Sequence, residues 1–349
     1  MTDEETSPQL SPLGAGLARL GIGRKALGDG MSGLVVEGAQ LAGTFVFFAL
    51  LSRQLGPTDY GSFAAMYSLI GISLALAQSG PGLAFLQHAM GSDIRSASAK
   101  FFSIYVVGIG AAVVIVLGLS PILLPRLPFL TVTLFMAAEL FGAVLIQVSS
   151  TLRLIVIGFR STVPLQLIPV AIKVAAVVGL YVADALTLRS YGTVYCVACV
   201  IVGGLVFLTV TSRLHVPRRL SRPQRKYVST TITIASTIWV FNLHNDGDKL
   251  TMSANNIGAD VGLYSAAYRL IMLAVIPINA LVSSSYRTFL DPEVGNHFKR
   301  AVKYTLATTV YCVIAAGLLI VLAPVALPLI VGDGFAGACL LYTSPSPRD

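Results

Sequence analysis

The chain is short of charge. Only 11% of its 349 residues are Asp, Glu, Lys or Arg, against about 25% in a typical soluble domain, so this composition cannot clothe a water-facing surface. Cysteine is sparse as well: Cys196, Cys199, Cys312 and Cys339 provide no disulfide framework. Cys196 and Cys199 have the spacing of a redox pair, but they sit inside an apolar run. A redox CxxC needs an exposed helix N-terminus, so these two read as small residues of a membrane helix. The four histidines, His88, His215, His244 and His297, are scattered and form no ligand set. A glycine-rich phosphate loop, an HExxH motif and a large extramembrane domain are all missing. The expectation is therefore a non-enzyme with no cofactor and no metal. A secretory signal is missing too: the first 30 residues are polar, and no small-residue cleavage site follows an apolar stretch.

Apolar residues are what the chain has in abundance, 55% of positions with a mean hydropathy of +0.79. They come in runs. Residues 61–92, 101–125, 190–212 and 304–332 contain no Asp, Glu, Lys or Arg. About 20 apolar residues span the hydrocarbon core as a helix, and a helix satisfies its own backbone hydrogen bonds there. The fold class expected is all-α integral membrane, with nine spans over 31–52, 61–88, 99–120, 129–151, 163–183, 191–211, 229–254, 261–286 and 302–330. Gly80-Pro81-Gly82 should break or kink the second of these. Pro324 and Pro328 should make the outer end of the last one irregular.

The net charge of +8 does not imply nucleic acid, because the basic residues lie in short loops between apolar runs. With the N-terminus in the cytoplasm, seventeen of the 24 Lys and Arg residues fall on the inner side, and only Arg53, Arg126 and Arg189 on the outer. The positive-inside rule favours that orientation. Five segments follow. Residues 1–30 form a cytoplasmic tail whose Leu13, Leu17, Leu20 and Leu27 allow either an interfacial amphipathic helix or a loosely ordered segment. Residues 31–211 form a six-helix bundle, and 212–228 a basic cytoplasmic linker. Residues 229–338 form a partial second bundle of three helices. Residues 339–349 break an apolar pattern in mid-element and resemble an in-frame translated sequencing adapter, so the natural protein is expected to continue beyond Ala338.

Charge inside a membrane costs about 2.5–3.5 kcal/mol at the helix centre, so each intramembrane charge needs a reason. Helical spacing puts Asn242, Asn245, Asp246, Lys249, Ser253 and Asn256 in one stripe, with His244 and Asp248 pointing the other way. Ser265, Arg269, Asn279 and Ser283 share a second stripe. Others hold Thr162, Gln166 and Lys173; Glu37, Gln40 and Thr44; and Glu139, Ser150 and Arg153. Five such stripes suggest one hydrated cavity. Lys173 lies about 15 Å from either end of its helix, and Arg269 about 12 Å from the outer end of its own. Each of these cations could equally pair with Glu139 or Glu37, and Asp246 and Lys249, at i and i+3, could neutralise each other. Glu37 and Glu139 are candidate ion-coupling groups, or protonated carboxyls bonded to a neighbouring helix.

Three stretches then resemble a known family. Ser52-Arg-Gln-Leu-Gly-Pro-Thr-Asp-Tyr-Gly61 is similar to an R-x-L-G-P-x-D-Y-G turn, and Gly262-Leu-Tyr-Ser-Ala-Ala-Tyr-Arg269 to a G-x-Y-x-x-A-x-R helix opening preceded by Asp248-Lys249-Leu250. Gly332-Asp-Gly-Phe-Ala-Gly-Ala338 fits the stretch before a tenth helix. Together they resemble bacterial polysaccharide biosynthesis proteins, the O-antigen flippase-type exporters of the multidrug/oligosaccharidyl-lipid/polysaccharide superfamily. The resemblance covers residues 30–338. It implies two helical bundles around a central cavity, with roughly twelve to fourteen helices in a full member, so that this chain, with nine, is truncated. It also implies an inner-membrane flippase that moves polyprenyl-pyrophosphate-linked oligosaccharide by alternating access among membrane lipids, alongside polysaccharide polymerase and glycosyltransferase machinery. Lys173, Arg269 and Lys249 would supply the cavity cations, and Gln166, Asn242, Asn245, Asp246, Ser265 and Asn279 its polar lining. A drug or metabolite antiporter of the same superfamily is the first alternative, although cavity cations would repel cationic drugs. A membrane polymerase or ligase is the second, although it would need a sizeable outer loop.

Overall fold

A computed structural model describes the backbone of residues 24–89, 94–255, 257–290, 297–332 and 334–335. Within these, side chains are described for 36–89, 94–255, 257–272, 274, 275, 278, 301–332, 334 and 335. The amphipathic reading of the tail, the side chains of Asn256, Asn279 and Ser283, and the adapter-like segment 339–349 lie outside the described residues.

The described residues form helices and their connections, with no strand among them. The elements are α1 (Arg24–Leu74), a π-helical turn (Ala75–Ser79), α2 (Gly80–Ala89), α3 (Ile94–Leu123), α4 (Phe129–Ala137), a second π-helical turn (Ala138–Ala143), α5 (Val144–Val156), a 3₁₀ turn (Phe159–Thr162), α6 (Val163–Val182), α7 (Leu188–Arg213), α8 (Arg225–Ala254), α9 (Gly258–Leu290) and α10 (His297–Val331). Among the described residues, six helical stretches are long and apolar enough to cross a membrane: Val36–Ala89, Ile94–Leu123, Phe129–Val156, Phe159–Val182, Leu188–Arg213 and Ala301–Val331. Of the nine spans expected, that at 229–254 is helical but too polar to join this set, because its polar stripe dilutes its hydropathy, and that at 261–286 lies in a helix whose side chains are described only in part.

The first stretch is long enough for two crossings. Its 54 residues would run about 81 Å if straight, far beyond a hydrocarbon core of about 30 Å. The break is at Gly56, whose φ of 70° and ψ of 175° leave the helix. Glycine tolerates that backbone because it has no Cβ. The rings of Phe48 and Tyr60 would be about 18 Å apart along an unbroken helix, yet their centroids are 5.4 Å apart. The two arms of α1 therefore fold back on each other at Gly56-Pro57. The second arm runs through the centre of the protein, with Tyr60, Phe63, Met66 and Ile70 wholly buried.

The glycine-proline signal at 80–82 acts as a bulge. Gly80 N–H donates to Ala75 O, five residues back, and the helix then continues as α2. In α10 the helix persists through Pro324 and Pro328 to Val331, against the irregular end expected. Its terminal carbonyls are met from outside: Arg53 donates through Nε to Ile330 O at 3.0 Å and through a terminal nitrogen to Leu329 O. An arginine at a helix C-terminus both satisfies orphan carbonyls and complements the helix dipole.

Close helix crossings use glycine where no side chain fits. A Cβ on Gly142 would lie 2.7 Å from Cys199 O, and one on Gly203 would lie 2.4 Å from Gly142 O. This seats α7 against the second π turn, as small residues do between membrane helices. Cys199 is buried there as a free thiol and Cys196 is half-buried, in keeping with their reading as small helix residues. Outward faces are apolar instead: Val107, Val114 and Ile122 of α3 and Val313, Val321 and Leu329 of α10 are exposed. Such surfaces suit lipid.

The ends of the molecule differ in charge. The 214–224 linker docks on the start of α3, where Ser221 N–H donates to Ala99 O at 3.1 Å and Ser103 Oγ to Ser221 O at 2.8 Å. Arg218 caps α7 through Leu208 O at 3.1 Å and Thr211 Oγ1 at 2.9 Å. Arg213, Arg219, Arg222, Arg225 and Lys226 are exposed at that end. The Gly56 turn lies at the opposite end of α3, close to Arg126, which sits against Gly258.

Candidate functional site

A cavity of about 550 Å³ opens between the two arms of α1 on one side and α8 and α9 on the other. Its polar lining comes from Thr44, Tyr67, Ser68, Asp246, Lys249, Ser265, Tyr268 and Arg269; its apolar lining includes Leu41, Phe45, Phe48 and Met272. A pocket of about 60 Å³ adjoins it, lined by Gly43, Thr44, Phe47, Phe63, Tyr67, Val170, Lys173 and Arg269. Thr44, Tyr67 and Arg269 border both spaces.

Among the described residues, Arg269 borders the larger space without a counter-charge. Its Nε donates to Tyr60 Oη at 2.8 Å, and its guanidinium lies 5.2 Å over the Phe48 ring. The two ion pairs formed among the described residues, Lys173–Glu139 and Lys249–Asp246, do not involve it. An arginine carries five N–H donors. The Tyr60 bond uses one of them, and the planar fork of the remaining four suits a phosphate or carboxylate. Close by, Ser265 Oγ is buried and has no hydrogen-bond partner, an arrangement a buried hydroxyl rarely tolerates.

Lys249 is buried but not free. It is ion-paired with Asp246, bonds Asn245 O at 3.3 Å, and lies 4.3 Å over the Tyr268 ring. Ser68 Oγ donates to Asp246 Oδ1 at 3.3 Å, which ties the pair to the second arm of α1. The i, i+3 spacing thus produces mutual neutralisation, one of the two outcomes the sequence allowed.

Lys173 departs from its reading as a free cavity cation. Its Nζ lies 3.0 Å from Glu139 Oε1, with Tyr67 Oη in contact with both and Tyr195 Oη donating to Glu139 at 2.6 Å. Glu139 is 5% exposed and sits in the second π turn. The physical reason is burial: two opposite charges in a low-dielectric interior lower their joint cost by pairing. Lys173 lines the small pocket and not the larger cavity.

Other polar residues tie helices together instead of lining the large cavity. Gln40 Nε2 donates to Gln166 O at 3.2 Å, and Gln166 Nε2 to Thr162 Oγ1 at 2.9 Å. Asn242 Nδ2 donates to Gly71 O at 3.2 Å. Glu37 is exposed on the first arm. Asp248, on the side of α8 opposite the stripe that holds Asn242, accepts from Tyr264 of α9 and from the Lys249 backbone. The five stripes therefore do not share one space: Thr44 of the first arm, Asp246 and Lys249 of α8 and Ser265 and Arg269 of α9 line the large cavity, whereas Glu139 and Lys173 do not.

Sequence reasoning passed over the tyrosines. Tyr60, Tyr67, Tyr195 and Tyr268 orient each charge described. Tyr60, Phe63 and Tyr67 stand at i, i+3 and i+7 on the second arm, one helical face with a hydroxyl at each end; that spacing was the available signal.

A family model described as "Polysaccharide biosynthesis protein" matches residues 31–289. It therefore takes in the cavity's walls, both arms of α1, α8 and nearly all of α9. No curated protein and no solved structure matches the chain.

Proposed function

We propose, from the premise that the chain belongs to the polysaccharide biosynthesis protein family, that it is a flippase-type exporter rather than an enzyme. It would carry polyprenyl-pyrophosphate-linked oligosaccharide across a bacterial inner membrane by alternating access. The single observation that supports this reading best is Arg269, a cation without a carboxylate partner among the described residues, which borders a space of about 550 Å³ between α1 and α8–α9. In a low-dielectric interior such a charge attracts an anionic headgroup far more than it would at a surface. The apolar side of the cavity, Leu41, Phe45 and Met272, suits the start of a prenyl tail. The basic linker end faces the cytoplasm in this proposal, following the positive-inside rule. Lys249 and Lys173 contribute through their pairs and are not headgroup ligands. Glu139, buried in such a pair, is the coupling candidate in preference to the exposed Glu37.

The test uses the 349-residue chain in lipid nanodiscs and undecaprenyl pyrophosphate as probe, with binding read by native mass spectrometry. Arg269→Ala should weaken binding at least about tenfold, and Arg269→Lys should fall between, because an ammonium keeps the charge but lacks the bidentate fork. Binding by Arg269→Ala equal to that of the unaltered protein would remove the basis of the proposal.

A further inference from the structure

Three separated parts of the chain meet at the end of the molecule away from the basic linker. The Gly56-Pro57 turn packs on the first turn of α9 with backbone against backbone. A Cβ on Gly61 would lie 2.1 Å from Gly258 O, and one on Gly262 would lie 2.0 Å from Pro57 O. The end of α10 closes on the same turn through Arg53 on the Ile330 carbonyl and through Gly334, whose Cβ would be 3.4 Å from Pro57. Tyr60 stands in the middle of this clasp. Its ring meets the edge of Phe335, centroids 5.9 Å apart, and its hydroxyl accepts from Arg269 at the cavity wall. Tyr60 is wholly buried, so nothing but protein answers its hydroxyl.

We propose that Tyr60 is a positioning residue which ties anion occupancy at Arg269 to opening of this clasp. The inference rests on the reading of Arg269 as the anion-binding group. An anion that draws the guanidinium toward the cavity competes with the Tyr60 hydroxyl for it. A released Tyr60 has lost its polar anchor. Arg53 on helix-end carbonyls then remains as a polar anchor of the clasp, beside the Phe335 ring edge and the close glycine backbones. A ligand can shift a conformational equilibrium only through such a difference in contacts between two states, and the Arg269–Tyr60 bond is a contact that differs between them.

Val261, wholly buried in the first turn of α9, serves as reporter. Val261→Cys is placed in a chain whose four cysteines are replaced by Ala, held in nanodiscs, and labelled with maleimide with and without undecaprenyl pyrophosphate. Labelling should be slow without the probe and at least about fivefold faster with it. In Tyr60→Phe, which keeps the ring and the Arg269 charge, the probe should still bind by native mass spectrometry, while labelling becomes equally fast with and without it. Equal melting temperatures for the two proteins would confirm that the fold survives. Failure of the unaltered protein to bind the probe at all would sink both the exporter reading and this one. Binding without faster labelling, or a Tyr60→Phe protein that still responds to the probe, would overturn the positioning role alone.

Discussion

Lys173 Nζ lies 3.0 Å from Glu139 Oε1, which brings α6 and the second π turn together at a buried charge pair with tyrosine hydroxyls around it. Removing one partner leaves the other uncompensated. Glu139→Ala or Lys173→Ala should each destabilise the protein by about 3–5 kcal/mol, and the double variant should cost much less than the two together. Thermal unfolding of the four proteins in detergent gives the coupling; additive effects would show that the pair does not act as a unit.

The glycines at the clasp separate from those on open faces. Gly61→Ala and Gly262→Ala place a methyl within 2.1 Å and 2.0 Å of backbone atoms, and overpacking of that kind costs about 1–3 kcal/mol or more. Gly71→Ala and Gly110→Ala meet nothing within 4 Å and should be neutral or slightly stabilising, since alanine is the better helix former. Melting temperatures of the four variants decide it, and a Gly61→Ala protein as stable as Gly71→Ala would contradict the packing described.

Arg53 should matter by its geometry as well as its charge. It reaches two consecutive carbonyls at the end of α10. Arg53→Ala should lower stability by about 0.3–1 kcal/mol, and more so at low ionic strength, as for other cations at helix C-termini. Arg53→Lys should recover part of it. A loss that is independent of salt would point to packing instead of electrostatics.

Sidedness can be read directly. Arg222 in the linker and Arg189 at the start of α7 are both exposed and lie at opposite ends of the fold. With the native cysteines replaced, Arg189→Cys should react with an impermeant maleimide in intact cells. Arg222→Cys should react only after permeabilisation. The reverse pattern would invert the orientation drawn from the positive-inside rule.

The sequence alone determined the class of the protein and much of its architecture. Low charge and long apolar runs leave helices in lipid as the remaining solution, since each backbone must satisfy itself there. The turn that 52–61 resembles holds the reversal at Gly56, and Gly80-Pro81-Gly82 marked the bulge before Gly80, because glycine and proline alter backbone geometry locally. The i, i+3 spacing of Asp246 and Lys249 already allowed for their pairing. Tertiary structure decided what local pattern could not. Lys173 and Arg269 look alike in sequence, each a deep cation on an otherwise apolar helix. Lys173 meets Glu139 from another helix, whereas Arg269 meets a tyrosine hydroxyl and an aromatic face. Helical periodicity says which residues share a face but not which face another helix will cover. The partners of a buried charge come from elements brought together only when the helices pack, and those partners set whether the charge remains available to a ligand.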